Sequence, residues 1–88
     1  MSNYVVRLSK RASKDRVKLM QAELSQKAKD LIDILAENPY QSPPAYEKLI
    51  GSLIRTYSRR INIRHRMVYS VHEDTKTVVV RSMWTHYE

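Results

Sequence analysis

The chain has 88 residues, which is the length of one small domain. It contains no cysteine, which excludes disulfides and thiolate metal sites, and no apolar run approaches the roughly 20 residues of a membrane-spanning helix. The 16 Lys and Arg residues outnumber nine acids, and the net charge of +7 predicts an anionic partner, either a nucleic acid or an acidic protein.

The N-terminal segment MSNYVVRLSK lacks the basic start and long apolar stretch of an export signal. Together with the lack of cysteine, this predicts a cytoplasmic protein. Residues Tyr4 to Leu8 (YVVRL) are rich in β-branched and aromatic side chains, and they predict the first strand. Ser9 and Ser13 are candidate N-caps for the helix that follows.

From about Ala12 to Glu37 the sequence has a helical pattern, because apolar residues recur at steps of three and four. These residues are Val17, Met20, Leu24, Ala28, Leu31, Ile32 and Leu35. A bend at Gln21 to Ser25 would give two antiparallel helices; one long helix is the alternative, since no Pro or Gly marks the bend. The prolines of NPYQSPP then end the helical region and favour an extended connection.

The second half of the chain predicts strands joined by short turns, in the segments EKLIGSLIRTYSRRINI, RHRMVYSVHE and TVVVRSMWTHYE. The polar HEDTKT is a hairpin turn, and four valines offer apolar side chains to one face of a sheet. They are Val68, Val71, Val78 and Val80. The order predicts one α+β domain over residues 1–88: a small, largely C-terminal antiparallel sheet with an N-terminal strand and two helices on one face. Pairing of the last strand, Thr77 to Trp84, would anchor the C-terminus.

Six cations and no acid lie between Lys48 and Arg66, and five of the six are arginine, which suits bidentate phosphate contact. Strand alternation would place Arg60 and Arg64 on one face and Arg59 on the other, unless a bulge or turn between Asn62 and Arg66 changes the register. We expect this stretch to bind RNA phosphate, with ordinary surface salt bridging as the alternative. The residues assigned to phosphate contact are Lys48, Arg59, Arg60 and Arg64.

Three kinds of group suffice to cleave RNA without a metal: a base for the ribose 2′-OH, a cation for the charge on phosphorus, and an acid for the leaving 5′-oxygen. Glu47, the arginines and His86 are candidates for these roles, and Tyr87 could hydrogen-bond a phosphate. Trp84 could stack on a base, although a core position is the alternative. The other two histidines lack the spacing of metal ligands, so we predict no metal and no other cofactor.

The run EKLIGSLIRTYSRRINIRHRMVYSV and the terminal WTHY resemble the YoeB (Txe) toxins of type II toxin–antitoxin systems, within the RelE superfamily. The YSRRIN, HRMVY and closing HY segments are the most specific parts of this resemblance. The resemblance implies a RelE-like fold, a small antiparallel sheet with N-terminal helices. It also implies metal-independent, ribosome-dependent cleavage of mRNA in the A site, leaving a 2′,3′-cyclic phosphate or 3′-phosphate and a 5′-hydroxyl.

The resemblance further implies catalytic roles for individual residues. Glu47, which stands 13 positions before Arg60, matches the general base. Arg66 matches the arginine that stabilises the transition state, and Arg60 matches a second arginine that contacts phosphate. His86 matches the general acid, and Tyr87 matches the tyrosine that orients the substrate.

Two departures from the family pattern lie at the C-terminus. Met83-Trp84-Thr85 replaces the arginine often found before the closing HY, and Glu88 follows that pair. The implied partners are a YefM-type antitoxin with an acidic C-terminal segment, the ribosome with its mRNA and rRNA, and a second copy of the chain, with no membrane involved.

Two other functions fit the charge. A non-catalytic basic module that blocks translation by binding RNA or the ribosome would need the arginines but neither Glu47 nor His86. A protein that binds only an acidic partner would need no ribosome contact.

Overall fold

The computed structural model describes residues 3–51 and 55–85, and within these ranges it contains two helices and five strands. Their bounds are β1 Val5–Leu8, α1 Lys10–Gln21, α2 Ser25–Glu37, β2 Tyr46–Lys48, β3 Arg55–Arg60, β4 Arg66–His72 and β5 Thr77–Thr85. This arrangement confirms the α+β prediction. No helix of the described ranges is long and apolar enough to cross a membrane.

The helical region divides into two helices where the sequence predicted a bend. Ser9 caps α1 by accepting a hydrogen bond from the Ala12 amide at 3.1 Å, whereas the other candidate cap, Ser13, lies inside the helix. Glu23 has a φ of 59°, which an α-helix does not tolerate, so the chain turns there and one long helix is ruled out. Val17 and Met20, part of the apolar pattern, are exposed.

The strands form a single sheet in the order β1-β5-β4-β3-β2. The four C-terminal strands pair antiparallel, as predicted, while β1 adds a parallel edge strand beside β5. The predicted strand segment from Glu47 to Ile63 contains most of β2 and all of β3, which pair with each other, so the described part of the second half of the chain has four strands. Glu47 is therefore on an edge strand, directly opposite Ser58.

The helices pack on one face of this sheet, and the core lies between the two layers. Its buried apolar residues are Ala12, Leu19, Ala28, Leu31, Leu35, Tyr57, Ile61, Met67, Tyr69, Val71, Val78, Val80 and Met83. Three of the four predicted valines are among them. Val68 is half-buried on the other side, because it precedes Tyr69 in a strand whose side chains alternate. We call this second side, away from the helices, the open face.

Candidate active site

The open face brings together two of the predicted catalytic residues. Strand pairing sets Glu47, Ser58 and Val68 in one row across β2, β3 and β4. Arg66, two residues before Val68 on the same face, reaches back to this row. Its Nη1 donates to Glu47 Oε1 at 2.8 Å and to Ser58 Oγ at 3.3 Å.

Arg60 lies beside this ion pair, because it is directly opposite Arg66 in the pairing of β3 with β4. Arg60 is exposed, and it lines a cavity of about 230 Å³ together with Glu47, Ser58 and Arg66. One carboxylate and two guanidinium groups therefore surround a space open to solvent. Glu47, Arg60 and Arg66 are thus the predicted site residues that the described part of the chain places around one cavity.

The structure corrects the prediction that Arg59 contacts RNA phosphate, because Arg59 is buried on the helix side of the sheet with an exposure of 0%. Its Nε donates to the Tyr69 hydroxyl at 3.0 Å, and its terminal nitrogens donate to the carbonyls of Pro39 and Pro44. Its guanidinium also lies 4.7 Å from the centre of the Tyr46 ring. Arg59 thus ties the segment between α2 and β2 to the core and fixes the strand that carries Glu47.

Burial raises the pKa of Tyr69 to about 12, although the adjacent Arg59 acts in the opposite direction. The Tyr69 hydroxyl therefore stays protonated at neutral pH. It donates to the Pro39 carbonyl at 3.0 Å while accepting from Arg59. The buried hydroxyl of Tyr69 thus has both a donor and an acceptor partner.

The other two predicted phosphate contacts are exposed but lie outside the cavity. Lys48 follows Glu47 on β2 and pairs with Tyr57, so strand alternation directs it to the helix side. Arg64 lies in the turn between β3 and β4, where its amide and that of His65 donate to Asn62 Oδ1 at 2.9 and 2.7 Å. Both cations are exposed, but neither lines the cavity beside Glu47.

Trp84 is half-buried and stacks on His65, with ring centres 3.8 Å apart and planes inclined by 19°. The pair lines a cavity of about 430 Å³ beside Arg64. Trp84 therefore has features of both predicted roles. It packs against the edge of the core, as a core residue would, and it still borders an open cavity, as a base-stacking residue would.

Asp15 is a positioning residue that the sequence analysis missed. Between the pairs Arg66–Thr85 and Val68–Ser82, one residue of β4 faces two residues of β5, so β5 contains a bulge. The amides of the two bulged residues, Met83 and Trp84, donate instead to Asp15 Oδ2, at 3.0 and 3.3 Å.

A sequence signal for this role exists. The buried positions of α1 are Ala12, Asp15 and Leu19, so the sole acid of this helix occupies its core stripe at helical spacing. A buried carboxylate needs hydrogen-bond donors, and the bulge supplies them. Asp15 consequently fixes the C-terminal end of β5.

His86 and Tyr87, the predicted acid and substrate-orienting residue, lie outside the described residues, as does Glu88. The description ends at Thr85, which is directly opposite Arg66 in the pairing of β4 with β5. The backbone of the last described residue is thus adjacent to the strand position that carries the candidate transition-state arginine.

These groups are suited to acid–base chemistry at a phosphodiester. A carboxylate can take a proton from a hydroxyl, and two guanidinium groups within the same cavity can offset negative charge on phosphate oxygens. Among residues 3–51 and 55–85, no three His, Cys, Asp or Glu side chains come together as a metal site would require.

The sequence matches the family model of the YoeB-like toxin of bacterial type II toxin–antitoxin systems over residues 8–87. The match spans both helices and all the strands of the described fold except the first residues of β1. No curated protein matches the chain.

Solved structures show the same architecture. The YoeB dimer from Staphylococcus aureus is 27% identical, with a TM-score of 0.78, and the match covers 98% of this chain and 100% of that one. The YoeB/ParE toxin from Agrobacterium tumefaciens is 26% identical, with a TM-score of 0.82 and coverages of 94% and 99%. A chain of the YoeB–YefM complex from S. aureus is 29% identical, with a TM-score of 0.76 and coverages of 96% and 98%.

Proposed function

Because the chain belongs to the YoeB-like toxins of bacterial type II toxin–antitoxin systems, we propose that it is a ribosome-dependent endoribonuclease. It cleaves mRNA in the A site by attack of a ribose 2′-OH on the adjacent phosphorus, without a metal. The observation that carries the proposal is the contact of 2.8 Å between Glu47 and Arg66 in a cavity that Arg60 also lines.

In the proposed reaction Glu47 removes the proton of the 2′-OH, and the 2′-oxygen forms a bond to phosphorus. Arg66 and Arg60 offset the charge that builds on the phosphate oxygens. The bond from phosphorus to the 5′-oxygen breaks, His86 protonates that oxygen, and Tyr87 orients the phosphate. The products are a 2′,3′-cyclic phosphate and a 5′-hydroxyl.

Differences in exposure support this division of roles. The Arg66 side chain is 15% exposed and is held by Ser58, whereas Glu47 is 68% exposed. When a phosphate takes up part of the Arg66 fork, the carboxylate is free to turn toward the sugar of the same nucleotide. The half-buried cation keeps its position while the exposed base adapts.

The experiment that tests the reaction uses ribosomes carrying a short mRNA with a single 2′-deoxynucleotide at the cleavage position. The protein should cut the all-ribose mRNA, leave a 5′-hydroxyl end, and fail to cut the 2′-deoxy mRNA. A 2′-deoxynucleotide one position away is the control and should be cut normally. Cleavage of the modified linkage at the normal rate would refute 2′-OH attack, and translation arrest with intact mRNA would favour the non-catalytic module.

We further propose that an antitoxin of the YefM type binds this toxin through an acidic segment, and that the toxin also self-associates. The similarity to the S. aureus YoeB–YefM complex and YoeB dimer supports both partners. The net charge of +7 adds attraction for an acidic chain. Co-expression with a YefM-type antitoxin should relieve growth arrest and yield a complex that survives gel filtration; failure of both would reject this partner.

A further inference from the structure

A second polar cluster on the open face is not used by the proposed reaction. It consists of Ser70 and His72 on β4 and Arg81 on β5. Arg81 Nε donates to Ser70 Oγ at 3.3 Å, and the same oxygen lies 3.2 Å from His72 Nε2. Ser70 is 1% exposed although it faces away from the helices, so its neighbours' side chains cover it.

Arg81 is placed by an irregularity of β5. Tyr69 pairs with Val80, whereas Val68 pairs with Ser82, so Arg81 is the extra residue of a bulge. Its carbonyl accepts a hydrogen bond from Ser9 Oγ at 2.8 Å, which fixes the backbone of the bulge to the start of α1. Arg81 is thus held at two points: its backbone carbonyl by Ser9 and its Nε by Ser70.

The positive charge of Arg81 is not neutralised by a described carboxylate. No Asp or Glu of residues 3–51 and 55–85 lies within ion-pair distance of it, and the side chain is exposed. Ser70 occupies Nε alone, so the two terminal nitrogens have no hydrogen-bond acceptor within the described part of the chain. They can therefore bind an oxyanion in the fork geometry that arginine favours.

The cluster is one step along the open face from the candidate active site. Ser70 is two residues beyond Val68, whose row contains Ser58 and Glu47. At a rise of about 3.3 Å per residue, the two rows are about 7 Å apart. An RNA strand that crosses the face with one phosphate at Arg66 has a neighbouring phosphate within reach of the next row.

We propose that Arg81, oriented by Ser70 and flanked by His72, binds an mRNA phosphate next to the scissile one. This subsite rests on the proposed function, since it assumes that RNA occupies the Glu47–Arg66 cavity. Continuity with that cavity on one face favours RNA over an acidic peptide as the occupant. Ser70 is a positioning residue here, because it acts through Arg81.

The test measures cleavage of ribosome-bound mRNA in which one linkage beside the scissile one is replaced by a neutral methylphosphonate, taking each flanking linkage in turn. In the wild-type protein, one such replacement should lower kcat/KM about tenfold. Arg81→Ala should lower kcat/KM about tenfold on unmodified mRNA and lose nothing further at that linkage. Ser70→Ala should weaken the same linkage-specific effect.

Lys27→Ala is the matched control, since it removes one exposed positive charge from α2, on the other layer. It should keep the wild-type response at every linkage. Thermal unfolding of Arg81→Ala should match the wild-type protein, and Arg81→Gln provides a second variant if it does not.

The subsite is overturned if the effect of Arg81→Ala on kcat/KM is the same with and without each methylphosphonate, because that result indicates a general charge effect. It is also overturned if Arg81→Ala cleaves normally but loses affinity for the acidic antitoxin segment, because the cluster then binds protein. Absence of cleavage by the wild-type protein would reject the proposed function itself. Normal wild-type cleavage without linkage-specific coupling would reject the subsite alone.

Discussion

Neighbouring arginines on β3 have opposite roles, and a shift of one residue along the strand separates them. Arg60 is exposed beside the candidate cavity, whereas Arg59 is buried and donates to two proline carbonyls and a tyrosine hydroxyl. Strand alternation explains the difference, since successive side chains point to opposite faces. Charge alone therefore does not identify a phosphate contact in this chain.

Replacement of Arg59 by methionine should lower the free energy of unfolding by about 3 kcal/mol, because buried acceptors lose their donor. Chemical denaturation at neutral pH measures the change. Arg60→Met, the adjacent exposed arginine, is the control and should change stability by about 0.5 kcal/mol or less. An Arg59→Met protein as stable as the wild type would show that these hydrogen bonds contribute little.

Glu73, in the turn between β4 and β5, accepts hydrogen bonds from three side chains. Its carboxylate accepts hydrogen bonds from the hydroxyls of Tyr4 and Tyr40 and from Lys76 Nζ, the last at 3.0 Å. The hydrogen bond from Tyr40 is the largest cause, followed by that from Lys76, and the pKa of Glu73 is lowered to about 2.

A carboxyl group with a lowered folded-state pKa stabilises the protein fully above its ordinary pKa and loses this contribution as the pH falls. For Glu73 the loss should occur between about pH 4.5 and pH 2. Denaturation midpoints measured across this range should fall less steeply for Glu73→Gln than for the wild type. Glu23→Gln, in the turn between the helices, should follow the wild-type curve; identical slopes for all three proteins would contradict the assignment.

At the scale of elements, β5 connects the core, the second polar cluster and the approach to the C-terminus. Its two bulges are fixed from α1: Ser9 Oγ binds the Arg81 carbonyl, and Asp15 binds the amides of Met83 and Trp84. Bulges re-aim side chains at functional sites. Hydrogen bonds with α1 and its N-cap thereby fix the backbone of β5 at both bulges.

Asp15→Asn should weaken these bonds, because a charged acceptor is replaced by a neutral one of the same shape. Hydrogen exchange should accelerate at the amides of Met83 and Trp84 but not at Val78, near the start of β5. The activation free energy of cleavage should rise by more than the free energy of unfolding falls, since the strand leads to the proposed acid His86. Asp33→Asn, an exposed acid of α2, is the control, and unchanged protection at both amides would reject the anchor.

The sequence predicted much of the fold because the signals for it are local. The spacing of apolar residues marked the helical region, Ser9 was one of two candidate N-caps of α1, and the polar HEDTKT marked the last hairpin. The parallel pairing of β1 with β5 has no local signal, since its partners lie about seventy residues apart. Pairing of this kind depends on tertiary packing, which sequence pattern does not encode.

The sequence indicated Glu47, Arg60 and Arg66 through the resemblance to the YoeB toxins and not through any predicted pairing. In the structure they meet because β2, β3 and β4 are neighbouring strands. Asp15 and Arg81 depend on bulges, and a bulge requires the actual register of two strands. The roles of His86 and Tyr87 stay predictions, since both lie outside the described residues.

At the scale of the whole molecule, the two faces of the sheet divide the work. The helix side contains the core and the buried Arg59, while the open face carries the Glu47 row and the Arg81 cluster. We propose that Glu47 and Arg66 act on one phosphodiester in the cavity that both residues line.

The most direct test is the single-turnover cleavage rate of ribosome-bound mRNA for Glu47→Gln, Arg66→Ala and the double variant. Each single change should lower the rate at least about 100-fold, and the double variant should lose much less than the product of the two, because the residues act as a unit. Glu23→Gln should cleave like the wild type. Near-normal cleavage by Glu47→Gln, or independent effects of the two changes, would contradict the account.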